Sequence, residues 1–154
     1  MTVYRCTLKK WAKDLSGTGA FLYGGRWNNT GIHLVYTAEN NVLAALEVAL
    51  RIPLELIHRD YIMVPIHISG TPGIIEPDLP AKWRQNMSAT KSIGDQFVRE
   101  QKALMLKVPS ALISDAYNYV INPRHPDAKR LRTGEPRPII FDERLVQRMR
   151  GSHK

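Results

Sequence analysis

Two charged side chains between residues 17 and 47 have the types and surroundings that a reactive site needs. Arg26 lies in a glycine-rich loop, followed by Trp27 and Asn28, and Glu47 lies in an apolar stretch further on. The glycines around Arg26 indicate backbone that turns sharply or approaches a ligand closely: Gly17, Gly19, Gly24, Gly25 and Gly31. Arginine can bind pyrophosphate through its planar guanidinium, and a carboxylate shielded from water can stabilise a developing cation. The pair therefore permits chemistry on a phosphate-bearing substrate with a bond that breaks toward a cation.

Other chemistries find little support in the residue patterns. The loop has neither Gly-x-Gly-x-x-Gly before a helix nor Gly-Lys-Ser/Thr, which disfavours dinucleotide-fold and P-loop sites. The histidines lack metal-ligand spacing and Cys6 is the single cysteine, so we predict no metal site. Ser110 follows a proline rather than standing in a Gly-x-Ser-x-Gly turn, which disfavours a serine hydrolase.

The segment that carries Glu47 is predicted to be a buried helix. Asn40 or Asn41 can cap it, and Pro53 forbids its continuation beyond about Arg51. Its apolar residues cover nearly the whole circumference, which is typical of a helix inside the protein. Glu47 is then expected in the interior or along a cleft. The alternative is an exposed carboxylate paired with Arg51 one helical turn later.

The other elements must place these side chains, and their order predicts an α+β domain. Strands are predicted at residues 2–6, 32–37, 61–69, 103–108, 111–113, 119–121 and 138–141. Further helices are predicted from Ser92 or Asp95 to about Gln101 and from Asp142 onward. Strands and helices do not alternate regularly, so we expect a single compact domain over residues 1–150, with mixed β-sheets and flanking helices. Residues 151–154 are expected to be an appended tail.

Composition narrows the function classes. The chain of 154 residues carries a net charge of +8, with an isoelectric point near 9.8, which suits an acidic partner or a phosphate-bearing ligand. Residues 124–150 contain eight Lys or Arg against four Asp or Glu, a pattern most simply explained as a solvated basic face. No apolar run approaches the roughly 20 residues of a membrane span, and we expect a cytoplasmic protein with no membrane partner.

Short motifs along nearly the whole chain resemble the RES-domain family, which is named for its Arg, Glu and Ser. The matching segments, in the family's order, are Tyr4-Arg5, residues 17–20, residues 24–28, Gly31, Val35-Tyr36, Leu46-Glu47, residues 108–111, residues 118–123, His125-Pro126 and residues 138–145. Each is short, but together they are specific.

The resemblance implies a fold related to ADP-ribosyltransferases and the toxin of a bacterial toxin–antitoxin pair. Such toxins deplete NAD, as a substrate and with no further cofactor, by cleaving its nicotinamide–ribose bond with water or phosphate as acceptor. By the same resemblance Arg26 holds the pyrophosphate or ribose side of NAD with help from Arg5, and Glu47 stabilises the ribosyl cation. Tyr36 stacks near nicotinamide, and Ser110 hydrogen-bonds the substrate.

Ordinary structural roles stay open for three of these residues. Arg5 can be a strand-end charge that pairs with an acid, and Ser110 after Pro109 can serve a turn. Tyr36 on a strand can pack in the core, and Trp27 is expected to anchor the loop rather than to touch substrate.

The family also implies a partner, an antitoxin with a helix-turn-helix, Xre-like DNA-binding part that covers or enters the NAD cleft. Direct DNA binding is therefore expected only through the antitoxin. Two other functions stay open. One is a mono-ADP-ribosyltransferase that modifies a host protein. The other is a basic RNA-binding protein or ribonuclease toxin, which the charge of residues 124–150 favours and the lack of an RNA-binding motif disfavours.

Overall fold

A computed structural model, which describes residues 1–151, contains seven strands in one sheet. The strands are β1 Thr2–Leu8, β2 Val35–Ala38, β3 Tyr61–Ile68, β4 Ile74–Ile75, β5 Met105–Pro109, β6 Tyr117–Ile121 and β7 Leu131–Thr133. Their order across the sheet is β4-β5-β6-β2-β1-β3-β7, and every neighbouring pair is antiparallel except β4 and β5.

Five α-helices lie around this sheet in the described part of the chain. They are α1 Thr18–Tyr23, α2 Asn41–Ala49, α3 Leu54–Asp60, α4 Met87–Glu100 and α5 Glu143–Gly151. Short 3-10 turns occur at Lys9–Trp11, Trp83–Gln85 and Pro126–Arg130. The α+β prediction is therefore confirmed. Of the predicted tail, Gly151 ends α5, and residues 152–154 lie outside the described residues. No described helix is long and apolar enough to span a bilayer.

The alternation of side chains along the strands divides the core between the two faces of the sheet. On one face Val35 packs with Val3, Ile66 and Met105. On the other face Ala38 packs beneath α2 and α3. Further along that second face, residues of β5 and β6 pack under the glycine-rich loop and α4: Leu106, Val108, Val120, Trp27, Trp83 and Phe97. The second face therefore holds both predicted chemical groups, Glu47 of α2 and Arg26 of the loop.

Helix α2 begins where the sequence predicts but is buried on one side only. The Asn40 side-chain oxygen accepts a hydrogen bond from the Leu43 amide at 2.8 Å and caps the helix. Leu43 and Val48 are buried against the sheet, whereas Val42 is 72% exposed and Leu50 60% exposed. The expectation of a fully buried helix was wrong, because α2 lies across the sheet and no described element covers its outer side.

Several predicted boundaries were also wrong, each for a local reason. Residues 18–23 form α1 inside the glycine-rich segment, and α4 begins at Met87 because Asn86 caps it. Residues 111–113 form a turn in which the Ser110 hydroxyl accepts the Leu112 amide hydrogen at 3.1 Å. Residues 138–141 form no strand, and pairing there stops at an isolated bridge between Met63 and Arg137, since the next residue is a proline without an N–H group.

Candidate active site

The Glu47 carboxylate lies between α2 and the adjoining ends of β5 and β6. Its Oε1 accepts a hydrogen bond from Asn118 Nδ2 at 2.7 Å and a longer one from Ser110 Oγ at 3.4 Å. Asn118 is paired in register with Ala38 of β2, so it lies on the sheet face that α2 covers. Both hydrogen bonds fall on one oxygen, and within residues 1–151 no partner is found for Oε2. The carboxylate is thus oriented by the sheet and has one oxygen available.

The predicted alternative for Glu47, an ion pair with Arg51, is not formed among the described residues. The Arg51 guanidinium instead donates to the Glu47 backbone carbonyl at 3.3 Å. Glu47 is half-buried and faces Asn118 and Ser110. The geometry therefore favours a half-buried carboxylate held by the sheet over an exposed surface pair.

Ser110 serves the turn that the sequence left open and also contacts Glu47, while its hydrogen bond to substrate stays a prediction. It follows directly after β5, is fully buried, and its amide donates to the Ala116 carbonyl at 2.8 Å. Its hydroxyl accepts the Leu112 amide hydrogen, which closes a turn, and donates to Glu47. The turn thus fixes the hydroxyl against the carboxylate.

Helix α4 holds the backbone of the loop that presents Arg26. The buried Thr90 hydroxyl donates to the Arg26 carbonyl at 2.7 Å. The buried Asp95 carboxylate accepts the Asn29 amide at 3.0 Å and its side-chain nitrogen at 2.7 Å. At Gly94 a Cβ would lie 1.7 Å from the Trp27 carbonyl oxygen, so the loop contacts the helix backbone directly. Arg26 therefore extends from a loop that is fixed along its length.

Tyr36 of β2 supports the same loop from the sheet side. Its hydroxyl accepts the Trp27 amide hydrogen at 3.0 Å and donates to Asn28 Oδ1 at 2.7 Å. Burial raises the pKa of this phenol well above its usual value, an effect that the Trp27 hydrogen bond and the nearby Arg51 and Arg26 only partly oppose. Tyr36 is therefore a neutral hydrogen-bonding group that anchors the loop, and its stacking on nicotinamide stays a prediction.

Arg5 is not brought to Glu47. Tyr4 and Cys6 face the cluster beneath α2, and alternation places Arg5 between them on the opposite face of β1. Its guanidinium donates to the Asp14 backbone carbonyl, and burial lowers its pKa although Asp14 opposes the shift. This contact is to a backbone carbonyl, and within residues 1–151 Arg5 forms no ion pair with a carboxylate; its assistance in substrate binding stays a prediction.

Cavities elsewhere in the molecule do not coincide with these groups. One cavity of about 320 Å³ lies between the end of α2, α3 and α5. Arg51 contributes to its wall, but Glu47, Ser110 and Asn118 do not. Within residues 1–151 no three His, Cys, Asp or Glu side chains are grouped closely enough to hold a metal ion. We therefore place the candidate site at the Glu47 carboxylate and its neighbours.

Comparison with known proteins assigns the chain to a family. The RES-domain model matches residues 2–142. This chain belongs to the RES-domain family. A protein of Sphingobium sp. (strain YBL2) named Prs ADP-ribosylating toxin is 34% identical over 145 residues, which cover 89% of each chain. A protein of Photorhabdus laumondii named Toxin Res is 34% identical over 153 residues, covering 96% of this chain and 98% of that protein.

The fold also matches a solved structure. A chain of the M. tuberculosis MbcT–MbcA toxin–antitoxin complex superimposes with a TM-score of 0.70. The match covers 97% of this chain and 88% of that one, at 19% sequence identity. At that identity the likeness concerns the fold.

In this RES-domain protein the predicted residues form one connected group, with the exception of Arg5. Arg26 Nη1 donates to the Arg84 carbonyl at 3.1 Å, Arg84 Nη2 donates to the Ser110 carbonyl at 3.4 Å, and Ser110 contacts Glu47. Tyr36 joins the group through the Arg26 loop.

Sequence reasoning did not single out Asn118, Arg84 or the α4 residues that hold the loop. For Asn118 a signal existed, because it is a polar residue that alternates onto the inner face of a strand beside the buried Val120. For Arg84 no signal existed, because residues 83–87 have no clear periodicity.

Proposed function

We propose that this protein is the toxin of a toxin–antitoxin pair and consumes NAD by cleaving its nicotinamide–ribose bond. The observation that carries the proposal is the Glu47 carboxylate, oriented through Oε1 by Asn118 and Ser110, with the arginine-bearing loop connected to it through Arg84. The relative named as an ADP-ribosylating toxin supports it, since ADP-ribose transfer consumes NAD.

The arrangement suits a dissociative cleavage. As the bond between C1′ of ribose and the nicotinamide nitrogen breaks, its electron pair leaves with nicotinamide and positive charge develops on the ribose ring. A negative charge fixed beforehand stabilises that charge more than it stabilises the substrate, because its orientation costs nothing during the reaction. Glu47 Oε2 is the oxygen placed for this role. An acceptor oxygen, from water or phosphate, then bonds to C1′ and gives up its proton.

The decisive experiment is incubation of purified protein with NAD, with and without phosphate, followed by chromatography. We expect nicotinamide release, with ADP-ribose as second product in water and its 1-phosphate in phosphate if phosphate is the acceptor. Glu47→Gln keeps an oxygen for Asn118 and Ser110 but removes the charge. It should lower kcat by about 10²- to 10³-fold, as expected for loss of one transition-state contact.

Glu55→Gln is the matched control, because Glu55 is an exposed carboxylate on the neighbouring helix α3. It should cleave NAD at the wild-type rate. No nicotinamide release from folded wild-type protein, or equal rates for the Glu47 and Glu55 variants, would contradict the proposal.

Transfer of ADP-ribose to a protein is the second candidate, and the name of the Sphingobium relative favours it. Under that alternative, label from the ADP-ribose part of NAD appears on a protein band when a cell extract is added. Little free ADP-ribose accumulates. The two products are separated by precipitating protein before chromatography.

We further propose that a helix-turn-helix, Xre-like antitoxin covers the Glu47 site. The outer side of α2 presents Val42, Leu46 and Leu50 one turn apart, all exposed and beside Glu47, as a row that a partner can bury. In the purified complex Val42→Asp should weaken binding by at least about 10-fold, whereas Ile74→Asp on the edge strand β4 should not. The positive charge suits an acidic antitoxin, so affinity should fall with ionic strength. An affinity that is unchanged both by Val42→Asp and by salt concentration would refute this proposal.

A further inference from the structure

Two guanidinium groups face the same indole ring at the edge of the candidate site. The Arg84 guanidinium carbon lies 4.8 Å from the centre of the Trp83 ring, and that of Arg26 lies 6.0 Å from it. Trp83 is itself fixed, because it is buried and packs against Trp27 with ring centres 5.9 Å apart. Both cations therefore lie against the same indole, one from the glycine-rich loop and one from the turn Trp83–Gln85.

The positive charge of this pair is not balanced by the described part of the protein. Among residues 1–151 neither Arg26 nor Arg84 forms an ion pair with a carboxylate, whereas Arg59, Arg130 and Arg144 all do. Each of the two guanidiniums donates one hydrogen bond to a backbone carbonyl, out of five N–H groups. Two neighbouring like charges repel, and an anion that bridges them would remove that cost and use the remaining donors.

Ser110 connects the two arginines to the Glu47 carboxylate. Arg84 donates to the carbonyl of Ser110, and the hydroxyl of the same residue donates to Glu47. A single buried residue therefore separates the cationic pair from the anionic group. In a dinucleotide the negatively charged pyrophosphate lies next to the ribose whose C1′ becomes positive during the reaction. This order of charges is complementary to that of the arginine pair and the Glu47 carboxylate.

We propose that Arg84 is a substrate-binding residue that holds, together with Arg26, the diphosphate group of the substrate. This inference rests on the proposed function and extends it, because it assigns a second cation to the pyrophosphate and names nucleoside diphosphates as the ligand class. Arg26 and Arg84 each take one phosphate, and Trp83 keeps both guanidiniums facing the ligand. Arginine suits this role because its planar fork binds phosphate oxygens through two N–H groups.

The test measures binding without turnover, by calorimetry on the Glu47→Gln protein. The probes are ADP-ribose, ADP, AMP and inorganic pyrophosphate. Arg84→Gln should weaken ADP-ribose and ADP by about 10- to 100-fold, the usual loss for a charge-assisted contact, and should weaken AMP less. Arg84→Lys should recover part of the affinity. Arg99→Gln, which removes an exposed arginine of α4, is the matched control and should bind like the parent.

Kinetics of the otherwise unchanged protein separate this inference from the proposed function. With Glu47 intact, Arg84→Gln should raise KM for NAD by a similar factor while kcat changes little, and its melting temperature should stay close to that of the wild type, because Arg84 is exposed and its one side-chain hydrogen bond is 3.4 Å long. Diphosphate binding that depends on Arg84 in a protein that does not cleave NAD would support the site and refute the proposed reaction. Unchanged diphosphate affinity in Arg84→Gln, or no diphosphate binding by the parent protein at millimolar concentration, would overturn the inference.

Discussion

Replacement of Gly94 by alanine tests whether α4 positions Arg26. An added Cβ would lie 1.7 Å from the Trp27 carbonyl oxygen and 2.8 Å from its carbonyl carbon, both backbone atoms that no side-chain rotation can move. Relief requires the loop or the helix to shift by about 1.5 Å or more to reach ordinary van der Waals separation. Overpacking of this kind costs about 1–3 kcal/mol, and contact with backbone places the expected loss in the free energy of unfolding near the upper end.

The same displacement should also lower the rate of the proposed reaction. The loop carries Arg26 directly, and a misplacement of about 1 Å in a catalytic array can cost about 10²-fold in rate. We therefore expect Gly94→Ala to lower kcat/KM for NAD by about 10- to 100-fold, beyond what its unfolded fraction explains. Urea denaturation gives the free energy of unfolding, and nicotinamide release gives the rate under conditions where the variant is fully folded.

Gly19→Ala is the matched control. Gly19 lies in α1 near the same loop, a Cβ there meets no atom within 4 Å, and alanine favours the helix over glycine by up to about 1 kcal/mol. It should be as stable as the wild type or more so, and fully active. A Gly94→Ala protein with wild-type stability and kinetics would refute the tight docking of the loop on α4.

Two further changes probe the supports of the site, and a third prediction concerns the thiol of Cys6. Tyr36→Phe leaves the two loop groups that its hydroxyl binds unpaired, so the free energy of unfolding should fall by about 1–3 kcal/mol in urea titration, with a lower kcat/KM. Thr90→Val, which keeps shape but leaves the Arg26 carbonyl without this donor, should lower kcat/KM, whereas Thr90→Ser, which keeps the hydroxyl, should not; loss in Thr90→Ser with none in Thr90→Val would argue for packing alone. Burial raises the pKa of the Cys6 thiol from 9.0 to about 12, so Ellman's reagent at pH 8 should label folded protein at least about 100-fold more slowly than urea-denatured protein. As pH rises, the thiol ionises in the unfolded protein before it ionises in the folded protein. Its contribution to the free energy of unfolding is therefore complete below pH 9 and is lost as pH rises toward 12, which urea titrations across that range detect.

The parts of the fold that local patterns specify were predictable from the sequence. Asn40 caps α2 because its side chain can accept an amide hydrogen three residues on, and Pro53 limits the helix in any fold. Helix α1 was not predicted, because Gly17, Gly19 and Gly24 suggest irregular backbone. In the structure Gly17 and Gly24 have positive φ angles and bound the helix at its two ends. Glycine has the same appearance in a sequence whether it breaks a helix or bounds one.

The role of Glu47 could not be decided from spacing. A helix places Glu47 beside Arg51 on any surface, and the partners that it has in the fold, Asn118 and Ser110, are 71 and 63 residues away in the chain. The family resemblance assigned both Glu47 and Ser110 to the substrate, which helix spacing could not do, because spacing within a helix carries no information about which strand end lies opposite. The exposure of the outer side of α2 could not be predicted either, because an apolar residue on the surface is of the same type as one in the core.

The candidate site is built from two units that are joined by the apolar cluster beneath the loop and by few polar contacts. Glu47, Ser110 and Asn118 are fixed to the sheet and α2, whereas the Arg26 loop is fixed to α4 through Thr90, Gly94 and Asp95. The contacts between the units include the Tyr36 hydroxyl and the 3.4 Å hydrogen bond from Arg84 to Ser110, which lies at the long end of the useful range. A ligand held by arginines of one unit and the carboxylate of the other would tighten this junction. Substrate binding should therefore stabilise the pairing of α4 with the sheet more than it stabilises either unit, which hydrogen exchange on the Arg26 loop can detect.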